Sequence, residues 1–205
     1  VGWGAVVAAL LLLGSCAGEG DVLLRRLGAG ETGLTFDNEI TPSDSINYLS
    51  FYYTYNGGGI GVADFDGDGR PDLFFGGNMV ASRLYLNRGG LTFDDVTEAA
   101  GVGEDQWVTG VSVVDVNRDG RPDLYLSTVN RTNDAPNRLY VNRGTGPDGI
   151  PTFEERSAAY GLDVRRNTTQ AAFLDYDRDG DPDLFLAGAG QGTSLRTRQM
   201  ITNEN

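Results

Sequence analysis

The sequence predicts an all-β fold, a β-propeller of four-stranded blades with about three blades present. Three observations predict it. An acidic segment recurs at Asp64–Leu73, Asp115–Leu124 and Asp175–Leu184, its first aspartate stepping by 51 and then by 60 residues. A second block, RLYLNRG from Arg83 and RLYVNRG from Arg138, travels with it. A third block follows each of those, LTFDDVTEAAGV from Leu91 and PTFEERSAAYGL from Pro151. Short apolar or alternating runs flank every acidic segment, while helical periodicity is weak after residue 20. Periods of this length mark an array of supersecondary units, and radial repetition protects the edges of their sheets.

The elements follow in chain order. Ala5 to Leu13 is an apolar run of nine residues, too short for a spanning helix, which needs about 20. It suits the core of a secretory signal over residues 1–15. Leu13-Gly14-Ser15-Cys16 is similar to the lipobox of bacterial lipoproteins. That resemblance implies cleavage before Cys16, lipidation of its sulfur, a lipidated linker over 16–32, and anchoring in the bacterial cell envelope. Ala17 after the cysteine points to the outer membrane by analogy. Cys16 is the single cysteine, so no intrachain disulfide forms.

Residues 33–205 then carry the repeats. Runs such as GGIGVADF, VTGVSVVDV and TQAAFLDY enter the acidic segments, and DLFFGG, DLYLST and DLFLAG leave them. RLYLN and RLYVN alternate with period two and end in Asn-Arg-Gly turns, so each unit reads as short strands joined by turns. Only DVTEAAG and ERSAAYG allow a single helical turn. The third unit is incomplete: RQMITNEN from Arg198 stands where RLYVNRGT would, and the chain reads as a fragment ending in mid-repeat.

Each acidic segment offers side-chain oxygens at its positions 1, 3, 5 and 9, with glycine at 6. Alternate spacing lets these oxygens converge as the backbone curls, and glycine allows the sharp turn. The carbonyl of position 7, from Arg70, Arg121 or Asp181, can join them. Such a hard-oxygen set suits Ca²⁺, with proline at position 8 stiffening the approach. The metal-ligand set is therefore Asp64, Asp66, Asp68, Arg70 and Asp72; Asp115, Asn117, Asp119, Arg121 and Asp123; and Asp175, Asp177, Asp179, Asp181 and Asp183. Two carboxylates about 4 Å apart repel by roughly 4 kcal/mol at an effective dielectric of 20, so a converged set needs a cation. A solvated turn with splayed side chains would avoid the repulsion, but three copies at the same offsets beside apolar strands argue against it. Asn117 supplies an oxygen without a charge, so the second loop is expected to bind more weakly. An EF-hand is excluded, because position 12 is Phe75, Leu126 or Leu186 rather than glutamate and the flanks read as strands.

DFDGDGRPDL, DVNRDGRPDL and DYDRDGDPDL resemble FG-GAP/VCBS repeats, the units of integrin-α-like β-propellers. With RLYLNRG and FDDVTEAAGV added, the pattern is similar to the bacterial cartilage-acidic-protein-like group, often found with an ASPIC/UnbV domain. The resemblance covers about residues 33–190 and implies a seven-bladed ring with Ca²⁺ in hairpin loops, carrying ligation onto the side-chain ligands just named.

Composition narrows the function. The net charge of -13 disfavours nucleic acid, and the absence of histidine removes the usual general base and zinc ligand. The expectation is a non-enzymatic, calcium-binding, lipid-anchored surface propeller that binds an extracellular protein or glycan. The alternative is a module, catalytic or not, of a polysaccharide-processing enzyme. Asp94 with Asp95, or Glu154 with Glu155, would be its carboxylate pairs, yet strand neighbours point to opposite faces. A structural assembly component is a third reading. Tyr48, Phe51, Tyr52, Tyr53 and Tyr55 read as buried strand packing rather than a sugar-stacking platform, and Trp107 as core or rim. The sequons at Asn130 and Asn167 are expected to be bare.

Overall fold

Apolar residues alternate along short segments that glycine-rich acidic turns interrupt, and the chain folds accordingly into antiparallel sheets. The computed structural model describes residues 24–132, 134–188 and 200–201. Residues 1–23, with the signal segment and Cys16, lie outside the described residues, as does most of RQMITNEN. Among the described residues no helix is long and apolar enough to cross a membrane.

The first sheet is β1 (Ile60–Ala63), β2 (Asp72–Phe75), β3 (Arg83–Gly89) and β4 (Thr92–Asp95), in that order. The second repeats it with β5 (Trp107–Val114), β6 (Asp123–Val129), β7 (Arg138–Thr145) and β8 (Pro151–Glu155). The third contains β9 (Thr168–Leu174), β10 (Asp183–Gly188) and β11 (Met200–Ile201). Every pairing is antiparallel between chain neighbours. Each acidic segment is thus the hairpin between the first and second strands of a sheet. Equivalent registers hold in the first two sheets, Leu73 opposite Tyr85 and Leu124 opposite Tyr140. The third is displaced by one residue, with Leu184 opposite Ile201.

The sheets stack through their first strands, β1 on β5 and β5 on β9. One apolar cluster joins sheets one and two through Phe65, Phe74, Val102, Val111 and Leu124. A second joins sheets two and three through Tyr125, Leu139, Leu162, Leu184 and Leu186. β6 is buried along its whole length, as a strand covered on both faces must be.

Two one-turn helices lie outside the strands, α1 (Ala29–Thr32) and α2 (Thr97–Ala100), with a 3₁₀ turn at Ala158–Tyr160. The turns at TEAA and AAY fall where the sequence allows them. The aromatic cluster corrects the expectation of a strand: Tyr52–Tyr55 is a 3₁₀ turn. A strand would bury alternate residues along a sheet. The turn instead buries the adjacent Tyr53 and Thr54, with Phe51 buried before it and edge-on to Trp107 at 4.9 Å, and leaves Tyr48, Tyr52 and Tyr55 exposed.

Candidate metal centre

Each acidic hairpin is built from its backbone outward. Position 6 is glycine in the left-handed region, with φ of 86°, 81° and 90° at Gly69, Gly120 and Gly180. Position 4 is left-handed too, at Gly67, Arg118 and Arg178. Two left-handed residues curl the turn so that its N–H groups face inward, and the first aspartate collects them. Asp64 Oδ1 accepts from Gly67 N at 2.8 Å and Asp68 N at 3.0 Å, and its Oδ2 accepts from Gly69 N at 2.7 Å. Asp115 repeats this with Asp119 N at 3.0 Å and Gly120 N at 2.8 Å, and Asp175 accepts from Gly180 N at 3.1 Å.

The ninth position is the second anchor. Asp72 is fully buried, its Oδ2 accepting from Phe65 N at 2.8 Å and its Oδ1 from Asn87 N at 2.8 Å. Asp123 does the same with Val116 N at 2.9 Å and Asn142 N at 2.7 Å. Asp183 accepts from Tyr176 N at 2.8 Å. One carboxylate therefore ties the start of the hairpin to the third strand. The asparagine of each RLYxNRG block completes the tie. Asn87 Nδ2 donates to Pro71 O at 2.9 Å, its Oδ1 accepts from Gly89 N at 2.9 Å, and its carbonyl accepts from Arg70 Nε at 2.8 Å.

Oxygens of Asp64, Asp66 and Asp72 come within 4.8 Å of one another, as do those of Asp175, Asp177 and Asp183. Positions 1, 3 and 9 thus converge in hairpins one and three. In hairpin two Asn117 occupies position 3, its Oδ1 accepting from Asp119 N at 3.1 Å and its Nδ2 donating to Asp119 Oδ2 at 2.9 Å. The fifth position turns elsewhere. Asp68 pairs with Arg70 and Asp119 with Arg121, position 5 to position 7 of the same hairpin. Asp179 Oδ1 accepts from Asp181 N at 2.8 Å, while the Asp181 carboxylate pairs with Arg118 of the neighbouring hairpin.

Electrostatics sharpen the first hairpin. Burial, reinforced by the charges of Asp66 and Asp68, pushes the Asp72 carboxyl up to about 6 despite its two N–H donors. Burial raises Asp123 for the same reason, and burial with the neighbouring carboxylates raises Asp66. The Asp66 side chain is 4% exposed and lies 3.7 Å from the Arg88 guanidinium. This hard-oxygen set, with more negative charge than its arginines offset, fits a divalent cation such as Ca²⁺. Each carboxylate oxygen that accepts an N–H keeps lone-pair capacity for an ion.

The first hairpin also touches β7 of the second sheet. Asn142 Nδ2 donates to Phe65 O at 2.9 Å, and Thr145 Oγ1 donates to Asp66 O at 2.7 Å. Between hairpins one and two lies a cleft of about 550 Å³ lined by Asp64, Asp66, Arg121 and Thr145 among others. Asn87 and Asn142 were not singled out from the sequence, although the repetition of their block was the available signal.

The other carboxylates are engaged differently. Asp94 accepts from Arg88 Nε at 2.9 Å, whereas Asp95 accepts from Arg83 Nη1 at 3.2 Å and from Thr97. Glu154 pairs with Arg143 and Arg156, while Glu155 accepts from Ser157. Asn167 is 2% exposed, which closes that sequon to modification in the folded chain.

Comparison with known proteins places this geometry. The FG-GAP-like repeat family matches residues 64–126, from the first hairpin through the second and into β6. Human cartilage acidic protein 1 is 29% identical over 147 residues, 70% of this chain and 21% of the relative. The protein of that name from Mus musculus is 27% identical over 137 residues, 64% of this chain and 21% of its own length. That from Xenopus tropicalis is 29% identical over 135 residues, 64% of this chain and 20% of its own length. The chain therefore contains an FG-GAP-like repeat domain and is distantly similar to cartilage acidic protein 1. It spans about a fifth of the length of these curated relatives.

Proposed function

We propose that this chain is part of a calcium-binding β-propeller, displayed on the bacterial cell surface by a lipid on Cys16, whose exposed face binds a protein or glycan without chemical turnover. The three sheets are successive blades, and further blades complete the expected ring. The observation that carries the reading is the convergence of Asp64, Asp66 and Asp72, mirrored by Asp175, Asp177 and Asp183.

Bound Ca²⁺ would supply charge neutralisation and a cross-link. Position 1 holds the turn, position 9 holds the third strand, and an ion shared between them would fasten hairpin to sheet. Asp64, Asp66, Asp72, Asp115, Asn117, Asp123, Asp175, Asp177 and Asp183 are its side-chain ligands. Positions 5 and 7 contribute once the Asp68–Arg70 and Asp119–Arg121 pairs open. The role is structural, and recognition falls to exposed side chains; Tyr48, Tyr52 and Tyr55 form one candidate contact surface.

Calorimetric titration of the full chain with Ca²⁺, paired with melting in Ca²⁺ and in EDTA, tests the reading. Heat of binding and a higher melting temperature in Ca²⁺ are expected. No heat and identical melting would overturn it.

A further inference from the structure

The end of the second sheet remote from its acidic hairpin is built differently. Trp107, the first residue of β5, stands opposite Val129, the last of β6. The segment that enters the first sheet packs on this end, its Phe51 edge-on to Trp107 at 4.9 Å. Phe51, Tyr53 and Val129 are buried together, with Ile46 and Trp107 half-buried against them. Beside them lies a pocket of about 410 Å³, lined by Ile46, Phe51, Trp107 and Val129 and completed by Gln106, Asn130 and Arg131. That volume falls within the range of ligand pockets, about 300–1,000 Å³. The pocket forms where the first sheet's entry segment meets the second sheet. Sheets added to the outer faces of the first and third leave that junction as it is.

The wall of this pocket is apolar and its free polar group is a cation. Trp107 Nε1 is buried, so the indole presents carbon. Gln106, with its amide oxygen toward Arg138, accepts from Nη2 at 2.7 Å and from Nε at 3.0 Å. The Asn130 side chain is engaged at both ends. Its Nδ2 donates to Asp134 Oδ1 at 2.7 Å, and its Oδ1 accepts from Thr132 N and Asp134 N, each at 3.1 Å. Arg131 is exposed and, among the described residues, makes no hydrogen bond or ion pair. The nearby carboxylate of Asp134 is held by Asn130 and Thr132 instead. In a chain of net charge -13, Arg131 is an uncommitted positive charge at the mouth of an apolar pocket.

We propose that this pocket binds a partner protein through a segment carrying an apolar side chain beside a carboxylate. The side chain lies against Ile46, Phe51 and Trp107, and the carboxylate pairs with Arg131. The proposal rests on the reading of the protein as a non-catalytic binding module and names the chemistry it recognises. A sugar is a poorer occupant. Its hydroxyls would leave water for an apolar wall, because the amides of Gln106 and Asn130 already have partners. A polyanionic surface would meet one free cation against the net charge of the whole chain. One carboxylate next to one apolar group is the complement of one guanidinium at the edge of an apolar wall.

Fluorescence titration of the full chain tests this. Trp3→Phe leaves Trp107 as its only indole. The probe is N-acetylphenylalanine, which carries an aromatic side chain and a free carboxylate on one carbon, and N-acetylphenylalaninamide is its neutral twin. Trp107 emission should change saturably with the acid, which should bind about two- to fivefold tighter than the amide, as one exposed ion pair allows. Arg131→Gln should bind the two alike, and Arg131→Lys should keep the preference. Arg131 is exposed, so circular dichroism should show both variants folded. Glucuronate, a carboxylate without an apolar side chain, should not saturate in the same range. Four results would each overturn the proposal: no saturable response by about 50 mM probe, equal binding of acid and amide by the unsubstituted pocket, a preference that survives Arg131→Gln, or glucuronate bound as tightly as the probe. Calcium titration reads the acidic hairpins, whereas this titration reads Trp107. A protein that binds calcium and ignores the probe loses this inference alone, and one that takes the probe without calcium loses the hairpin reading instead.

Discussion

The buried carboxylate of Asp72 accepts the backbone N–H of Asn87 at 2.8 Å, joining the acidic hairpin to the third strand of its sheet. Its other oxygen holds Phe65 N at 2.8 Å. Replacing Asp72 with asparagine turns one acceptor into a donor facing an N–H. The expected cost, in EDTA, is about 1–3 kcal/mol, read by urea denaturation. Asp68→Asn loosens only an exposed pair with Arg70 and should cost less than about 1 kcal/mol in the same assay. Equal losses from the two changes would show that Asp72 is not the anchor.

The same burial sets a pH dependence for the metal-free protein. Asp72 titrates near 6 when folded and near 3.8 when unfolded, so the folded chain binds its proton more tightly. Its contribution to stability is complete below 3.8 and is lost as pH rises through about 6. Asp66 and Asp123, also raised, act in the same direction. Denaturation midpoints in EDTA should therefore fall between pH 4 and pH 7 from these groups. Saturating Ca²⁺ favours the ionised carboxylates and should flatten or reverse the slope.

Hairpin two tests the charge count. Its third position is Asn117, which donates its amide to Asp119, and it lacks the three-carboxylate grouping found in hairpins one and three. Calcium titration should resolve two tighter sites and one weaker site. Asn117→Asp should tighten the weak one, because ligand charge tunes affinity in such loops. A mutant isotherm superimposable on wild type would remove hairpin two from the binding set.

Much of this was legible in the sequence because repetition amplifies weak local signals. One DxDxDG segment is ambiguous, but three at the same offsets, each followed by an apolar run, located the hairpins and strands together. The RLYLN and RLYVN blocks landed on β3 and β7 for the same reason. What stayed hidden depends on contacts between distant residues. Nothing local to Asn142 says that its amide reaches Phe65, 77 residues away, or that Arg118 pairs with Asp181 of another hairpin. The Tyr52–Tyr55 turn was misread as strand because aromatic density favours both states, and the burial of Phe51 and Tyr53 was decided by tertiary packing.

Glycine at close sheet contacts gives the last prediction. β5 passes β9 so closely at Gly110 that an added Cβ would lie 2.8 Å from Thr169 O and 2.4 Å from Gln170 Oε1. The side chain of Gln170 can swing away, but the Thr169 carbonyl is backbone and lies within a strand paired to β10. Gly110→Ala must therefore spread the second and third sheets, and nearby Thr109 Oγ1 would lose its 2.6 Å bond to Thr168 O. Overpacking of this kind costs about 1–3 kcal/mol. Gly103→Ala is the control, since its Cβ would meet only Thr97 Cγ2 at an ordinary 3.5 Å and its φ is not left-handed. Chemical denaturation should show Gly110→Ala destabilised and Gly103→Ala within about 0.5 kcal/mol of wild type. If Gly110→Ala proves neutral, the second and third sheets do not stack at the separation described, and the sheet-on-sheet arrangement at that junction is wrong.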